Sequence, residues 1–250
     1  WEQSYSESNL TLAAAESYCT NKGAGWRLPN LYEYFSILNY WKDSALDGTY
    51  FNTPMDGYYW TSTNEAGSTL NYWTINATNG QVPTAAVPNT STNYVRCVKG
   101  EELIPPTSER YTKIGTGGTA LPIYDNAWAA VRDNWTGLLW DKTTREYSDG
   151  WIEAINYCEN LVLAGRSNWY LPNIKQVHYL MDMSNENSVL NSTYFEQKYN
   201  PLWTSTTDMF YGFERYVWAV SPINGIDSPY GPASKYESTY EAKCVSWDEP

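Results

Sequence analysis

Residues 26–30, WRLPN, and residues 169–173, WYLPN, repeat one five-residue phrase in two distant parts of the chain. A residue before proline is disfavoured in the helical region, so the leucine of each phrase is predicted to be extended. The asparagine that follows stands three positions before Glu33 in the first copy and Gln176 in the second. That spacing is typical of a helix N-cap with its reciprocal residue. The phrase therefore predicts an extended segment that turns sharply into a helix.

The rest of the chain repeats in the same order around this phrase. The spacing between matched residues of the two copies changes only by small insertions. This indicates one fold that was duplicated and then diverged. The predicted helices span residues 10–22, 31–41, 149–164 and 174–183. The other matched features are Tyr18-Cys19 with Tyr157-Cys158, WTST at 60–63 with WTST at 203–206, and Cys97 with Cys244.

Each copy is predicted to belong to the α+β class, with two helices, a small antiparallel sheet and a loop-rich half. We assign the first copy to residues 1–99 and the second to residues 109–250. Residues 100–108, GEELIPPTS, have the prolines and charges of a linker. Trp60 and Trp203 of the WTST strands are predicted core residues, and a hydroxyl-rich sugar surface is the alternative.

The chain is acidic, with 16 lysine and arginine residues, 28 aspartate and glutamate residues and a formal net charge of −12. Such a surface is expected to repel nucleic acid and anionic lipid, so neither is an expected partner. No apolar run approaches the roughly 20 residues of a membrane-spanning helix, and no membrane span is predicted. The first residue is Trp1 instead of methionine, which suggests that something upstream is removed or not shown.

Each copy has one cysteine in its first predicted helix and one in its last predicted strand. This matched placement predicts two disulfides within the copies, Cys19 with Cys97 and Cys158 with Cys244. Four buried free thiols are the alternative, which leaves the matched placement unexplained. Disulfides would place the protein outside the cytoplasm, in the extracellular space or at the cell surface.

Taken in order, the segments TGLLWDK, AINYCENL, WRLPN or WYLPN, YYWTST and YVRCVKG resemble the Lcl C-terminal domain family of bacterial proteins. The resemblance covers residues 1–99 and 109–246. It implies two tandem C-type-lectin-like domains in an extracellular or surface-attached module. In known cases such a module is an adhesin that contacts glycans and is not an enzyme.

The sequence departs from the calcium-dependent lectins of the wider fold. Those lectins carry calcium ligands in a Glu-Pro-Asn or Gln-Pro-Asp loop and in a Trp-Asn-Asp strand, whereas the matching strand here is WTST. We therefore predict no metal site and no cofactor. The best-known adhesin of the family binds sulfated polysaccharides, which require a cationic face. A chain with a net charge of −12 is a poor candidate for that ligand class.

Catalytic residues are not predicted. His178 is the single histidine, and its match in the first copy is Phe35, which favours packing over catalysis. Glycoside hydrolysis needs two carboxylates about 5–10 Å apart, and no aspartate or glutamate recurs in both copies in a way that suggests such a pair. The acidic pairs at 101–102 and 248–249 lie in the linker and the tail, where charges are expected to be solvated.

Sugar binding is expected in the variable segments, because loops held by a rigid frame commonly carry function. Residues 83–93 and 229–240 differ between the copies while the scaffold repeats. Tyr230, Tyr236 and Tyr240 of the second copy are the candidate ligand-binding residues. The first copy has no comparable aromatic cluster in its variable segment.

The two copies differ at their amino ends. Residues 127–140, AWAAVRDNWTGLLW, are predicted to form an opening strand beside the last strand of the second copy, near its cysteine. The first copy starts at Trp1, the match of Trp140, so its sheet is expected to have an edge to fill. The missing strand could lie upstream, be lost, or come from a neighbouring subunit. The third account predicts an open head-to-tail filament.

Two functions of different classes follow as expectations. The first is a structural surface protein, a self-assembling fibre or appendage subunit whose partners are copies of itself. The second is a monomeric tandem lectin-like adhesin that binds cell-surface glycans. An enzyme is a distant third.

Overall fold

The computed structural model describes residues 1–41, 45–53, 57–76, 78–83, 85–146, 150–183, 190–196, 200–208, 215–221, 233–236 and 240–247. The chain divides into two compact units: unit 1 contains Trp1–Ile104, and unit 2 contains most of the chain from Pro105 onward. Both units combine short helices with small, mainly antiparallel sheets. The predicted α+β class is confirmed.

Unit 1 follows the predicted order of elements. Strand β3 lies between β2 and β4 in one antiparallel sheet, and β1 pairs with β5. These elements are α1 (Leu12–Thr20), β1 (Trp26–Arg27), α2 (Leu31–Ile37), β2 (Tyr58–Asn64), β3 (Asn71–Asn76), β4 (Val87–Pro88) and β5 (Val98–Lys99).

Unit 2 repeats this order and adds strands before it. One sheet has the order β10-β14-β11-β12-β13, and the other has the order β15-β9-β8-β6-β7. Its elements are β6 (Tyr111–Gly115), β7 (Ala120–Leu121), β8 (Trp128–Asp133), β9 (Leu138–Asp141), β10 (Arg145–Glu146), α3 (Trp151–Glu159), α4 (Ile174–Leu180), β11 (Leu202–Thr207), β12 (Tyr216–Val220), β13 (Ala233–Ser234), β14 (Glu241–Ala242) and β15 (Val245–Trp247).

The repeated phrase starts helices α2 and α4 as predicted. The Asn30 side chain accepts a hydrogen bond from the Glu33 N–H at 2.9 Å, and the Glu33 carboxylate accepts one from the Asn30 N–H at 2.9 Å. Asn173 and Gln176 form the same capping box. Both helices end earlier than predicted, because Leu38 and Met181 turn to extended backbone and are buried.

The WTST strand holds the start of the helix that follows the phrase. In unit 1 the Ser62 N–H donates to the Pro29 carbonyl at 2.8 Å, and the Leu31 N–H donates to the Thr63 hydroxyl at 3.0 Å. The two sequence motifs therefore recur together because they bind each other. The matching bonds of unit 2 join Ser205 to Pro172 at 2.8 Å and Ile174 to Thr206 at 3.0 Å.

Trp60 and Trp203 are fully buried, which confirms their predicted place in the core. The Trp60 indole N–H donates to the Leu10 carbonyl at 2.6 Å, so its polar group is paired. Each tryptophan packs in a cluster that includes the cysteines of its own unit. The disulfide and the WTST strand thus share one core in each unit.

The opening strand predicted for the second copy is a hairpin. Residues 128–141 form β8 and β9, which pair with each other, and β9 is the strand that pairs with β15. A turn with Gly137 at a positive φ of 71° reverses the chain between the two strands. Strand β6, which was not predicted, pairs with the other edge of β8.

Candidate functional site

Both predicted disulfides are present. Cys19 bonds to Cys97 with an S–S distance of 2.07 Å, and Cys158 bonds to Cys244 at 2.05 Å. All four residues are fully buried. Each bond joins the first helix of the matched core to the residue just before its last strand.

The residue before the second cysteine of each unit is a buried cation, and neither cation was predicted to be buried. Arg96 and Lys243 are fully buried. The signal was a basic residue directly before the last cysteine in both copies. A single charged residue is normally solvated, so the sequence alone did not distinguish these two positions from surface lysines and arginines.

In unit 2 the Lys243 ammonium lies close to a buried carboxylate. It donates to the Asp141 carbonyl at 2.9 Å, approaches the Asp141 carboxylate at 3.5 Å, and lies 4.7 Å from the centre of the Phe195 ring. Burial raises the pKa of Asp141 to about 6, against the lowering effects of Lys243 and the Cys244 backbone. Burial also lowers the pKa of Lys243, because it penalises the charged amine.

In unit 1 the matched cation has a different environment. Arg96 donates through Nη1 to the carbonyls of Glu2 at 2.8 Å and Gln3 at 2.6 Å, and through Nη2 to the Asn52 carbonyl. Its guanidinium carbon lies 5.1 Å from the centre of the Phe51 ring. These partners are all neutral, which distinguishes Arg96 from Lys243.

The carboxylate of Glu2, the match of Asp141, is bound elsewhere. It pairs with the Lys22 ammonium at 2.7 Å and accepts a bond from the Tyr18 hydroxyl at 3.0 Å. Its other oxygen accepts a bond from the Cys97 N–H at 3.0 Å. The longer glutamate side chain therefore contacts partners other than the buried cation of its own unit.

The first residues of the predicted linker dock on unit 1. Arg27 forms an ion pair with Glu33 and also donates to the Glu101 carbonyl at 2.8 Å. The Asn30 amide donates to the Leu103 carbonyl at 3.0 Å. One end of the segment assigned as a linker is thus held by the helix cap.

The three predicted ligand-binding tyrosines occupy different environments. Tyr236 is 79% exposed, whereas Tyr240 is 8% exposed and its ring centre lies 4.7 Å from that of Trp203. Tyr240 is therefore placed to pack in the core, and Tyr236 is the one that a ligand could reach directly. Tyr230 lies outside the described residues.

Within the described ranges, no three histidine, cysteine, aspartate or glutamate side chains form a group that could hold a metal ion. His178 is buried in α4. The helices of the described part of the chain are all too short or too polar to cross a membrane.

In each unit, residues near the amino end of the matched core lie beside the last strand. In unit 2, Ser246 of β15 pairs with Leu139 of β9, and the Asp141 N–H donates to the Cys244 carbonyl at 3.0 Å. In unit 1, β5 pairs with β1 on one side, and the Glu2 N–H donates to the Cys97 carbonyl at 2.9 Å on the other. Trp26 of β1 pairs with Lys99 on the first side, and on the second side the position next to Lys99 corresponds to that of Leu139 in unit 2.

Comparison with known proteins identifies the repeat. The sequence profile of the Lcl C-terminal domain matches residues 1–99 and again residues 129–246. No curated protein matches the chain. The two matches coincide with the two matched cores, each with its capping box, WTST strand and disulfide. The chain therefore belongs to the Lcl C-terminal domain family, of which it carries two tandem copies.

Proposed function

We propose that this protein is a non-enzymatic component of the bacterial cell surface, a fibre or appendage subunit that assembles from copies of itself. Two disulfides are typical of proteins that fold and persist in oxidising surroundings outside the cytoplasm. The buried charges support a structural role, because Arg96 and Lys243 bind backbone carbonyls inside the units.

The assembly proposal rests on one edge of β5, the edge that does not pair with β1. In unit 2 the matched edge is covered by β9, through three residue pairs from Val245 to Trp247. In unit 1, residues 1–2 accompany the start of this edge. On the side of Lys99 that faces away from Trp26, no strand of the described residues pairs with β5. The proposal assigns this place to another copy. A strand added in this way contributes main-chain hydrogen bonds, and the head-to-tail contact extends into a filament.

Photo-crosslinking of a mixed-label assembly tests this proposal. Benzoylphenylalanine is placed at the exposed Lys99 in full chains, half of which carry ¹⁵N, and crosslinks are analysed by mass spectrometry. Crosslinks between differently labelled chains are expected, together with long polymers in electron micrographs of native material. The same probe at the exposed Thr92 of unit 1 is the control and should give few crosslinks.

Two outcomes would overturn the assembly proposal. One is crosslinking confined to chains of a single label. The other is a strictly monomeric particle in which residues preceding Trp1 in the same chain lie opposite Lys99.

A glycan-binding adhesin is the second candidate, and the exposure of Tyr236 favours it. The Lys235 ammonium lies 4.7 Å from the centre of the Trp151 ring. The backbone N–H of Trp151 donates to the Lys235 carbonyl at 3.0 Å. These two contacts hold the turn in which Tyr236 is exposed. Exposed tyrosine offers an apolar face and a polar hydroxyl to a sugar.

A glycan array with the full chain should show binding to neutral sugars that EDTA does not remove. Tyr236→Ala should abolish this binding, while the exposed tyrosine variant Tyr124→Ala should keep it. Binding that disappears with EDTA, or that Tyr236→Ala leaves intact, would contradict this candidate.

A further inference from the structure

Among the described residues of unit 1, five buried hydrogen-bond donors lack partners, and three of them belong to residues whose side chains lie close together. No described group lies in hydrogen-bonding geometry with three of these polar groups: the Tyr34 hydroxyl, the Tyr59 hydroxyl and the Nε–H of Arg96. All three side chains are fully buried. Buried polar groups are nearly always satisfied, so three such groups in one region indicate that a water molecule or an ion binds there.

The three donors lie in one aromatic cluster. The Tyr34 and Tyr59 ring centres are 6.3 Å apart, and the Arg96 guanidinium carbon is 5.5 Å from the Tyr59 ring centre. Burial raises the pKa of Tyr59 to about 12 against the lowering effect of Arg96, and burial raises the pKa of Tyr34 well above its usual value. Both hydroxyls therefore keep their protons at neutral pH and can donate.

The charge of Arg96 is also uncompensated at close range. No carboxylate of the described residues forms an ion pair with it, since Glu2 pairs with Lys22. A buried charge without a counter-charge is costly, and proteins normally pair it. A water molecule in the cluster would satisfy donors but would leave this charge uncompensated.

In unit 2, a carboxylate side chain lies beside the matching buried cation. Lys243 takes the place of Arg96 and has the Asp141 carboxylate 3.5 Å away. The matches of Tyr34 and Tyr59 are Val177 and Leu202, which are fully buried and have no hydroxyl. Unit 1 thus has two extra donors where it lacks the internal carboxylate.

We infer that Tyr34, Tyr59 and Arg96 together bind a monatomic anion inside unit 1, with chloride as the natural ligand and bromide as a usable substitute. The anion accepts bonds from the two hydroxyls and from Nε–H, and it supplies the charge that Asp141 supplies in unit 2. The inference is independent of the assembly and adhesion proposals, because it concerns the interior of one unit.

Bromide provides a direct test. Crystals of the full chain grown in bromide should show an anomalous scattering peak within the unit 1 core, in contact with both hydroxyls and Nε of Arg96. An ordered water only at this place, or no density there, would overturn the inference.

Hydrogen exchange of the full chain gives a second test in solution. Raising bromide or chloride to about ten times its Kd at constant ionic strength should slow global exchange of unit 1 about tenfold, with unit 2 as internal reference. Gluconate and sulfate should have no such effect, because the proposed ligand is a monatomic anion.

Substitutions separate the site from general salt effects. Tyr34→Phe and Tyr59→Phe should each reduce or remove the halide dependence. Tyr40→Phe, which loses another buried hydroxyl of unit 1 that donates to the Gly80 carbonyl at 3.5 Å, should keep it. Equal halide dependence in all variants, or none in the parent chain, would refute the site. If the phenylalanine variants do not fold, the bromide crystals decide.

Discussion

Protonation of Asp141 should control the stability of unit 2 between about pH 4 and pH 6. Burial raises the pKa of this carboxyl from 3.8 to about 6 in the folded unit. The folded state therefore holds the proton more tightly than the unfolded state does, so this contribution is fully present below about pH 4. It is lost as pH rises to about 6, and the shift corresponds to about 3 kcal/mol.

Hydrogen exchange between pH 4 and pH 7, corrected for intrinsic rates, measures this dependence in the full chain. Protection of peptides from β9 and β15 should fall with rising pH, and peptides of unit 1 provide the internal reference. Asp141→Asn should flatten the slope in unit 2, since the amide does not titrate. The reasoning is refuted if the parent and Asp141→Asn show the same slope, or if protection of unit 2 rises from pH 4 to pH 6.

The other predictions concern the disulfides and the helix caps. Intact-mass measurement of the native protein after alkylation should show four protected cysteines, and four alkylated cysteines without reductant would contradict both disulfides and the inferred compartment. Replacing Cys158 and Cys244 by alanine should lower the free energy of unfolding of unit 2 by about 4.5 kcal/mol, because the bond closes a separation of 86 residues; a loss below about 1 kcal/mol in urea unfolding would contradict this. Asn173→Ala should cost about 1 kcal/mol through loss of the cap, and Asn30→Ala should cost more, because its amide also binds the Leu103 carbonyl; equal costs in hydrogen exchange would show that the linker contact is energetically silent.

The helix caps and the disulfides were predictable because their signals are local or repeated. Asn173 and Gln176 lie within one turn, so the spacing alone defines the capping box. The cysteine pairs are far apart in sequence, but each occurs at matched positions of two copies. The duplication thus served as a comparison between two related sequences.

The hairpin of β8 and β9 was only partly predictable. Residues 128–133 and 138–141 are separated by a short turn, and the apolar pattern runs through both strands. Strand β6 has a buried lysine, Lys113, whose ammonium donates to the Asp125 carbonyl at 2.9 Å and lies 3.7 Å from the Trp128 ring centre. Such a residue indicates a surface position until its tertiary partners are known.

The candidate site depended on contacts that no local pattern encodes. Tyr236 and Tyr240 are four residues apart, yet only Tyr240 meets Trp203, which comes from a distant strand. The repeated basic position before the last cysteine did not show that Arg96 is buried, because its carbonyl partners, residues 2, 3 and 52, are distant in the sequence. The sequence therefore predicted the fold well and the buried charged residues poorly.

The disulfides also determine how each unit would respond to a pulling force. The bonds join residues 78 positions apart in unit 1 and 86 positions apart in unit 2. Tension along the backbone would pass through the sulfur atoms, and the enclosed residues would carry none of it while the bonds are intact. At about 3.4 Å per residue, these two loops conceal roughly 270 Å and 290 Å of contour length. A stretched molecule would thus lengthen only through residues outside the loops, and a reductant would release the hidden length.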